Sequence, residues 1–308
     1  MIRSRYAKRR GSRKSKTSYR TRRSYKGRTR SSVTKRRTRR TPRTSNKMIL
    51  NLTSKKKRDT MAPNTAYPAS TSAISGLQIQ GSDQATMTIW SPTARMLREV
   101  FENDKSSVPS GREETTCYVV GVKERISLLT NTGKPWKWRR VVFTHKGPLP
   151  LGEQFEGPRV YSTITDVVGR DTYYRTLSPL PALSKTQIVE YLFKGQGNDN
   201  SGIADWTDIT TAPMDTTRIK VLHDKVTHIQ SGNESGVMRT TTRWHNVRKN
   251  IVYGDEEIGG QVLSSAMSTN SRPGIGDIYI FDIFTSLSND ASDSMAFVPT
   301  ATVYWHER

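Results

Sequence analysis

Arginine and lysine recur every two or three residues through the first 58 positions, 25 of them, with no aspartate or glutamate in between. They alternate with Ser, Thr, Tyr and Gly, as in Arg20-Thr21-Arg22-Arg23 and Lys35-Arg36-Arg37-Thr38-Arg39-Arg40. The chemistry open to such a segment is phosphate binding. Each cation that neutralises a phosphate releases a condensed counterion, which requires no base reading and weakens steeply with salt. Candidate phosphate ligands are Arg3, Arg5, Lys8, Arg9, Arg10, Arg13, Lys14, Arg20, Arg22, Arg23, Lys35, Arg36, Arg37, Arg39, Arg40, Lys55, Lys56, Lys57 and Arg58. Tyr6, Tyr19 and Tyr25 sit among them. Their rings can stack on unpaired bases or act as solvated spacers. The clusters Lys35–Arg40 and Lys55–Arg58 also match short nuclear-import signals (Lys35, Arg36, Arg37, Arg39, Arg40; Lys55, Lys56, Lys57, Arg58), although more phosphate-binding charge explains them too.

A second constellation interleaves rings with cations: Trp136-Lys137-Trp138-Arg139-Arg140. On a strand, Trp136, Trp138 and Arg140 share one face and Lys137 and Arg139 the other. Facing nucleic acid, the cations would hold phosphates while a tryptophan stacked a base. Packed inward, both indoles would fill a core or an interface, where large aromatics dominate the energetics. Trp244-His245 with Arg243, Arg248 and Lys249 repeats the pattern and the ambiguity. Asp205, Asp208 and Asp215 lie in a turn-rich stretch; they can close turns with their own backbone or bind calcium at subunit contacts. Asp255-Glu256-Glu257 reads as an exposed acidic loop able to pair with a neighbour's arginine.

Enzyme signatures are missing. There is no GxxxxGK[ST] loop and no GxGxxG after a strand, and the five histidines are dispersed without HExxH or His-apolar-His spacing,. No catalytic site, cofactor or metal is expected, and the lone Cys117 can form neither an intrachain disulfide nor a cysteine zinc cluster,. The charged opening Met1-Ile2-Arg3-Ser4-Arg5 lacks the apolar core of a secretory signal,. No apolar run approaches the ~20 residues that span a bilayer. A soluble intracellular protein without a membrane partner is expected.

The net charge of +23 belongs almost wholly to the opening segment, since the remaining residues hold the other 25 Lys/Arg against all 27 Asp/Glu. Residues 1–58 have few large apolar side chains and no helical or strand period. Unable to bury enough surface to offset its ordering entropy, this arm is expected to be disordered until it meets a polyanion. Residues 59–81, rich in Pro, Ala, Ser, Thr and Gly, read as a linker,.

The body, residues 82–308, alternates β-type runs with turn residues,. Strands are predicted over 85–90, 117–129, 136–145, 159–168, 218–229, 240–253, 278–287 and 297–305. Helical spacing marks 93–103 and 184–194, the latter with Ser184 and Gln187 as a capping box. The fold class expected is mainly β: a single eight-stranded antiparallel jelly-roll sandwich with long loops and one or two short helices. An unrelated sandwich or OB-type barrel is the alternative.

From Phe193 to Gly260 the chain carries Phe193-Lys194-Gly195, Asp205-Trp206-Thr207-Asp208, Ala212-Pro213-Met214-Asp215, Asp224-Lys225 and Ser231-Gly232-Asn233. Arg243-Trp244-His245 and Tyr253-Gly254-Asp255-Glu256-Glu257 follow, before Gly259-Gly260. In order and spacing these resemble capsid proteins of genomoviruses, the gemycircularvirus group of circular single-stranded-DNA viruses, and more distantly geminivirus coat proteins. The Arg-rich opening, Trp136–Arg140 and the Tyr304-Trp305-His306 run extend the resemblance over most of the chain. It implies a single-jelly-roll capsid protein, sixty copies of which form a small T=1 icosahedral shell around circular single-stranded DNA. It also implies a virion location, passage through the host nucleus and host import receptors as partners. Sixty arms would bring roughly 1,500 positive charges, enough to neutralise most of a genome of about two kilobases. A cellular nucleic-acid-packaging protein with a β-sandwich body is the other expectation.

Overall fold

The computed structural model describes residues 45–66, 73–97, 110–151, 160–165, 171–197 and 203–308. The arm cations from Arg3 to Arg40 lie outside them, as do the arm's three tyrosines.

Among the described residues sixteen elements follow in chain order. They open with α1 (Asn46–Thr53), β1 (Lys55–Met61), β2 (Pro63–Asn64), β3 (Leu77–Gln80), β4 (Thr86–Trp90), β5 (Thr116–Thr130) and β6 (Trp136–His145). Next are β7 (Ser162–Thr165), β8 (Asp171–Thr176), α2 (Ala182–Leu192), β9 (Lys220–Ile229) and β10 (Met238–Val252). The last are β11 (Glu256–Ile258), β12 (Gln261–Leu263), β13 (Asp277–Ser286) and β14 (Ser294–Glu307).

Two antiparallel sheets dominate. One runs β1-β14-β5-β10, with β3 pairing further along β14; the other runs β4-β13-β6-β9. Pairing is nested, the first strand of the two sheets with the last: β1 with β14, β4 with β13, β5 with β10 and β6 with β9. The chain is thus doubled on itself like one long hairpin. The sheets pack face to face as a β-sandwich, because their inner residues share clusters. Val122, Val142, Ile280 and Val303 meet at one end, and Ile126, Trp138, Phe284 and Phe297 at the other. Phe284 and Phe297 lie 4.9 Å apart, with Trp138 edge-on to Phe297 at 5.6 Å. Rings of this size remove about 4–6 kcal/mol each of apolar exposure, at most.

Burial patterns follow from the layers. β5 and β14 alternate buried with exposed or half-buried residues because only one of their faces meets the core,. β13, Asp-Ile-Tyr-Ile-Phe-Asp-Ile-Phe-Thr-Ser, is buried on both faces over its first eight residues. Its second face is covered by α2 and the 205–219 loop, through Ile188, Leu192, Phe193, Ala212 and Ile219 against Phe143, Phe281 and Ile283.

Several expectations need correction. The arm–body boundary at 58 and the linker 59–81 do not stand: 46–61 forms α1 and β1, and β3 lies within 77–80. Sparse anchors do this work, with Met61, Leu77 and Ile79 buried in a stretch otherwise of polar and small residues. Of the predicted strand 159–168, the described residues form only β7, in a side sheet with β8 and β2, while residues 159 and 166–168 lie outside the described residues; β1 takes the place it was expected to fill in the main sheets. Residues 93–96 are not helical: the Arg95 N–H donates to Ala266 O and Thr93 Oγ1 accepts from Ile278 N. The rest of that predicted helix, from residue 98, lies outside the described residues. α2 starts two residues before Ser184, with Pro181 at its N-cap and no side-chain cap. Ser184 faces inward instead and donates to Leu151 O.

Candidate nucleic-acid interface

The ring-and-cation run Trp136–Arg140 forms the first half of β6, and it is not an interface. Trp136 and Trp138 are core residues. Trp138 Nε1 donates to Asp282 Oδ1 at 2.8 Å. Arg140 makes a two-armed bond to Asp282, at 2.7 and 2.8 Å, and also donates to Glu124. Arg175 bridges the same two carboxylates at 3.2 and 2.9 Å. Two cations and two anions therefore balance inside the sandwich, with His245 Nε2 3.3 Å from Glu124 at the edge. Burial alone would raise the Glu124 pKa, but Arg140, His245 and Arg175 outweigh it and hold the carboxyl well below its usual range. Arg139 grips Asp224 and the Ile209 and Ala212 carbonyls, and Lys137 pairs with Asp208 at 2.8 Å. All three cations are neutralised internally, which withdraws the tentative nucleic-acid role of Trp136, Lys137, Trp138, Arg139 and Arg140.

The cluster Lys55–Arg58 is divided by the strand period. Lys57 points inward, paired with Glu113 at 2.7 Å and Glu307 at 3.1 Å. Lys55 is exposed and pairs with Glu113 at 2.9 Å. Lys57 is thereby corrected as a phosphate ligand or import residue, whereas Lys56 and Arg58 point out from the sheet.

That outward face, across β1, β14, β5 and β10, is the candidate interface. Cross-strand register sets it out in rows. One row is Lys56, His306 and Tyr118; the next Arg58, Tyr304 and Gly121; then Thr60, Thr302, Lys123 and Trp244; then Thr300, Arg125 and Thr242. The acids on these four strands, Asp59, Glu124 and Glu307, all turn to the inner side, where they meet Arg95, Arg140 and Lys57. Among the described residues Arg58, Lys123, Arg125, Arg248 and Lys249 have no ion-pair partner. The face therefore carries cations and rings without compensating acids.

Its centre is shaped by Gly121. A Cβ there would lie 2.6 Å from Trp244 Cζ2 and 2.9 Å from Cη2. Glycine thus lets the edge of the indole approach the backbone, 47% exposed, with Tyr304 tilted beside it at 5.8 Å. The ladder is irregular on both sides of Gly121, between Asn246 and Lys249 on β10 and between Tyr304 and Trp305 on β14. Within the β10 bulge Arg248 takes φ 49°, a left-handed conformation that costs a non-glycine residue about 1–2 kcal/mol,. Bulges of this kind re-aim side chains. Lys56, Lys123, Trp244, Tyr304 and His306 border a cleft of about 260 Å³. Burial, and then Lys56, lower the His306 pKa, so at neutral pH it contributes a neutral ring. Such a surface can hold phosphates on its cations and bases on its rings.

The aspartates of the turn-rich stretch close turns. Asp208 Oδ1 accepts from Thr210 N and Oγ1 at 2.8 and 2.7 Å, and Asp215 Oδ1 from Thr217 N and Oγ1 at 3.0 and 2.6 Å. Asp205 accepts from Gln196 N at 2.7 Å. No three His, Cys, Asp or Glu side chains among the described residues converge on a possible metal position. Asp255 is not a free acid either: Arg112 holds it at 2.6 and 2.8 Å, and only Glu256 and Glu257 are exposed.

Sequence reasoning noticed Trp244 but missed the face. The signal was the alternation of Lys123-Glu124-Arg125, which puts one acid in and two cations out, and it needs the pairing of β5 with β10 and β14 to become a surface.

No family model matches the chain, and no curated protein matches it. Among solved structures it is similar to VP1 of Trichodysplasia spinulosa-associated polyomavirus, at 8% identity over 82% of this chain and 77% of that one, with a TM-score of 0.10. A likeness that slight carries no argument.

Proposed function

We propose that this protein is the capsid protein of a small circular single-stranded-DNA virus of the genomovirus kind. In this reading sixty copies form a T=1 shell, and the basic arm packages the genome. The observation that carries it is the segregation of charge. Half of the 50 Lys and Arg lie in the first 58 residues without one acid. On the sheet that β1 edges, the outer face is cationic while the acids are turned inside and paired. A shell subunit needs this division, with one side cationic toward packed DNA and a near-neutral remainder that neighbours can approach without repulsion.

Two further features support it. The nested pairing of eight strands into sheets β1-β14-β5-β10 and β4-β13-β6-β9 supports a jelly-roll reading of the β-sandwich, an architecture shared by viral capsids, lectins and cupins. Apolar side chains also stand out from the body, at Leu52 on α1 and at Ile258, Val262 and Leu263 on the β11–β12 hairpin, as contacts between copies require. Host nuclear import then rests on Lys35–Arg40, since Lys57 is buried in the sheet.

The test is electron microscopy and sedimentation of the purified full-length protein with single-stranded circular DNA. Closed shells of uniform diameter holding nuclease-protected DNA are expected. A monomer or dimer at every salt and pH would replace the coat reading with that of a cellular nucleic-acid-binding protein.

A further inference from the structure

We infer that the outer face of the β1-β14-β5-β10 sheet is a single-strand-specific subsite, in which an unpaired base stacks on Trp244 and its flanking phosphates lie on Lys123 and Arg58. The inference deepens the coat reading, on which it rests for the identity of the strand as genome; the chemistry rests on the face itself.

The occupant follows from what the face offers. Its cations lack acidic partners among the described residues, so a polyanion is the complementary ligand. Charge alone would suit duplex or single strand equally. The rings decide between them. Trp244 is seated on Gly121, whose missing Cβ makes the room, and it remains 47% exposed. An indole seated on the sheet backbone and half exposed offers nothing to a duplex, whose bases stack on each other. For an extruded base it is a platform. The neighbouring cleft, about 260 Å³, is bordered by Tyr304 and His306 and is roomy enough for the base's edge to settle beside Tyr304. Lys123 stands directly opposite Trp244 across the β5–β10 ladder. Arg58 stands opposite Tyr304 across the β1–β14 ladder. A backbone following these rows would thus meet a cation on each side of the stacked base. Arg248, held left-handed in the bulge two residues past Asn246, adds a third cation at the rim.

The experiment separates stacking from charge. Full-length protein is titrated with a 5-iodouracil-substituted single-stranded oligonucleotide and with the same sequence as a duplex, at several salt concentrations, and irradiated complexes are mapped by mass spectrometry. Cross-links to Trp244 or Tyr304 are expected with the single strand alone. Trp244→Ala should weaken single-strand binding about 5- to 150-fold at an unchanged salt slope, and leave duplex binding alone. Lys123→Gln should instead lower the slope of log K against log salt by about 0.7 for its one phosphate. Trp244→Phe, which keeps a ring, should restore most of the affinity. If neither ring is cross-linked and Trp244→Ala binds like the wild type, the subsite does not exist, even where shells assemble and fill. If cross-links appear but no shell ever forms, the subsite stands and the coat reading fails. Loss of assembly on Trp244→Ala without any cross-link would make the ring a contact between copies and overturn the inference.

Discussion

Arg140 was the residue most easily mistaken for a nucleic-acid ligand, and its surroundings show why a cation in an aromatic run can do the opposite job. It sits between Asp282 and Glu124, with Arg175 completing a balanced quartet inside the sandwich. Buried ions are tolerated only when paired, and removing one partner strands the rest. Arg140→Met leaves two carboxylates facing one arginine and should cost about 3–5 kcal/mol in urea unfolding of the unassembled protein. Adding Glu124→Gln should recover part of that loss, because the pair is coupled; fully additive losses would show that the quartet is not one unit. Asp277 gives a pH signature. Burial pushes its carboxyl up to about 6 from 3.8, although Ser268 donates to it from both N and Oγ. A raised carboxyl pKa means the native state keeps a proton the unfolded chain has released. Stability from this group is therefore complete below pH 4 and lost as pH rises to about 6,. Asp277→Asn keeps an acceptor for Ser268 without the ionisation. Its unfolding free energy relative to wild type should climb by up to about 3 kcal/mol between pH 4 and 6 and then level off. A difference that stays flat across that window would show that Asp277 is ionised throughout.

At the scale of elements, β1 changes what a truncation means. Its seven residues pair in register with Glu307 through Ala301 at the edge of the sheet, and Lys57 neutralises the buried Glu307. Deleting residues 1–45 removes only sequence ahead of α1, and the thermal midpoint of the body should hold. Deleting 1–58 takes half the edge strand and leaves Glu307 without its cation. A loss of about 3–5 kcal/mol, roughly 6–20 °C in Tm for a body of this size, is expected by circular dichroism. Equal midpoints would mean that β1 contributes nothing to the sandwich. The same strand marks the limit of what could be read from sequence. Strands with an alternating or continuous apolar pattern were legible: 136–145 falls on β6, and 85–90 on β4 within a residue. β1 was not, because Lys-Lys-Lys-Arg-Asp-Thr-Met advertises phosphate binding, and its inward positions are a lysine, an aspartate and a methionine. Charge on an edge strand is usual, and only the half-buried Glu113 and the buried Glu307, far off in sequence, make Lys57 a core residue. The candidate interface was hidden for a related reason. Its rows join residues up to 250 positions apart, such as Lys56 and His306, and no local pattern announces them.

For the whole molecule, the division of charge argues that in the proposed coat function assembly and packaging are separable. Of the 25 cations ahead of Asp59, 20 lie in residues 1–44, and at least Lys55 and Lys57 are already neutralised within the body. Among the described residues, Asp59, Glu124, Asp255, Asp282 and Glu307 are paired inside and Asp208 and Asp215 close turns, while apolar side chains on α1 and the β11–β12 hairpin are exposed. That hairpin turns on Gly259 and Gly260, with φ 54° and 87°, the two-residue turn that lets strands reverse tightly. It presents Ile258 and Leu263 on one face and Val262 on the other, all three exposed. If contacts between copies are made by such features, they do not need the arm. In the proposed coat function the arm, in turn, supplies most of the charge available to balance nucleic acid. Protein lacking residues 1–45 should therefore still form closed shells in sedimentation, with the 260/280 nm absorbance ratio falling to nearly that of protein alone. The small residual nucleic acid, held on the sheet face, should be released by Trp244→Ala in the same background. Shells that stay fully loaded without the arm would place packaging on the body instead. Failure of the truncated protein to assemble at any salt concentration would mean that neutralisation of the arm drives closure, and the two roles would then be one.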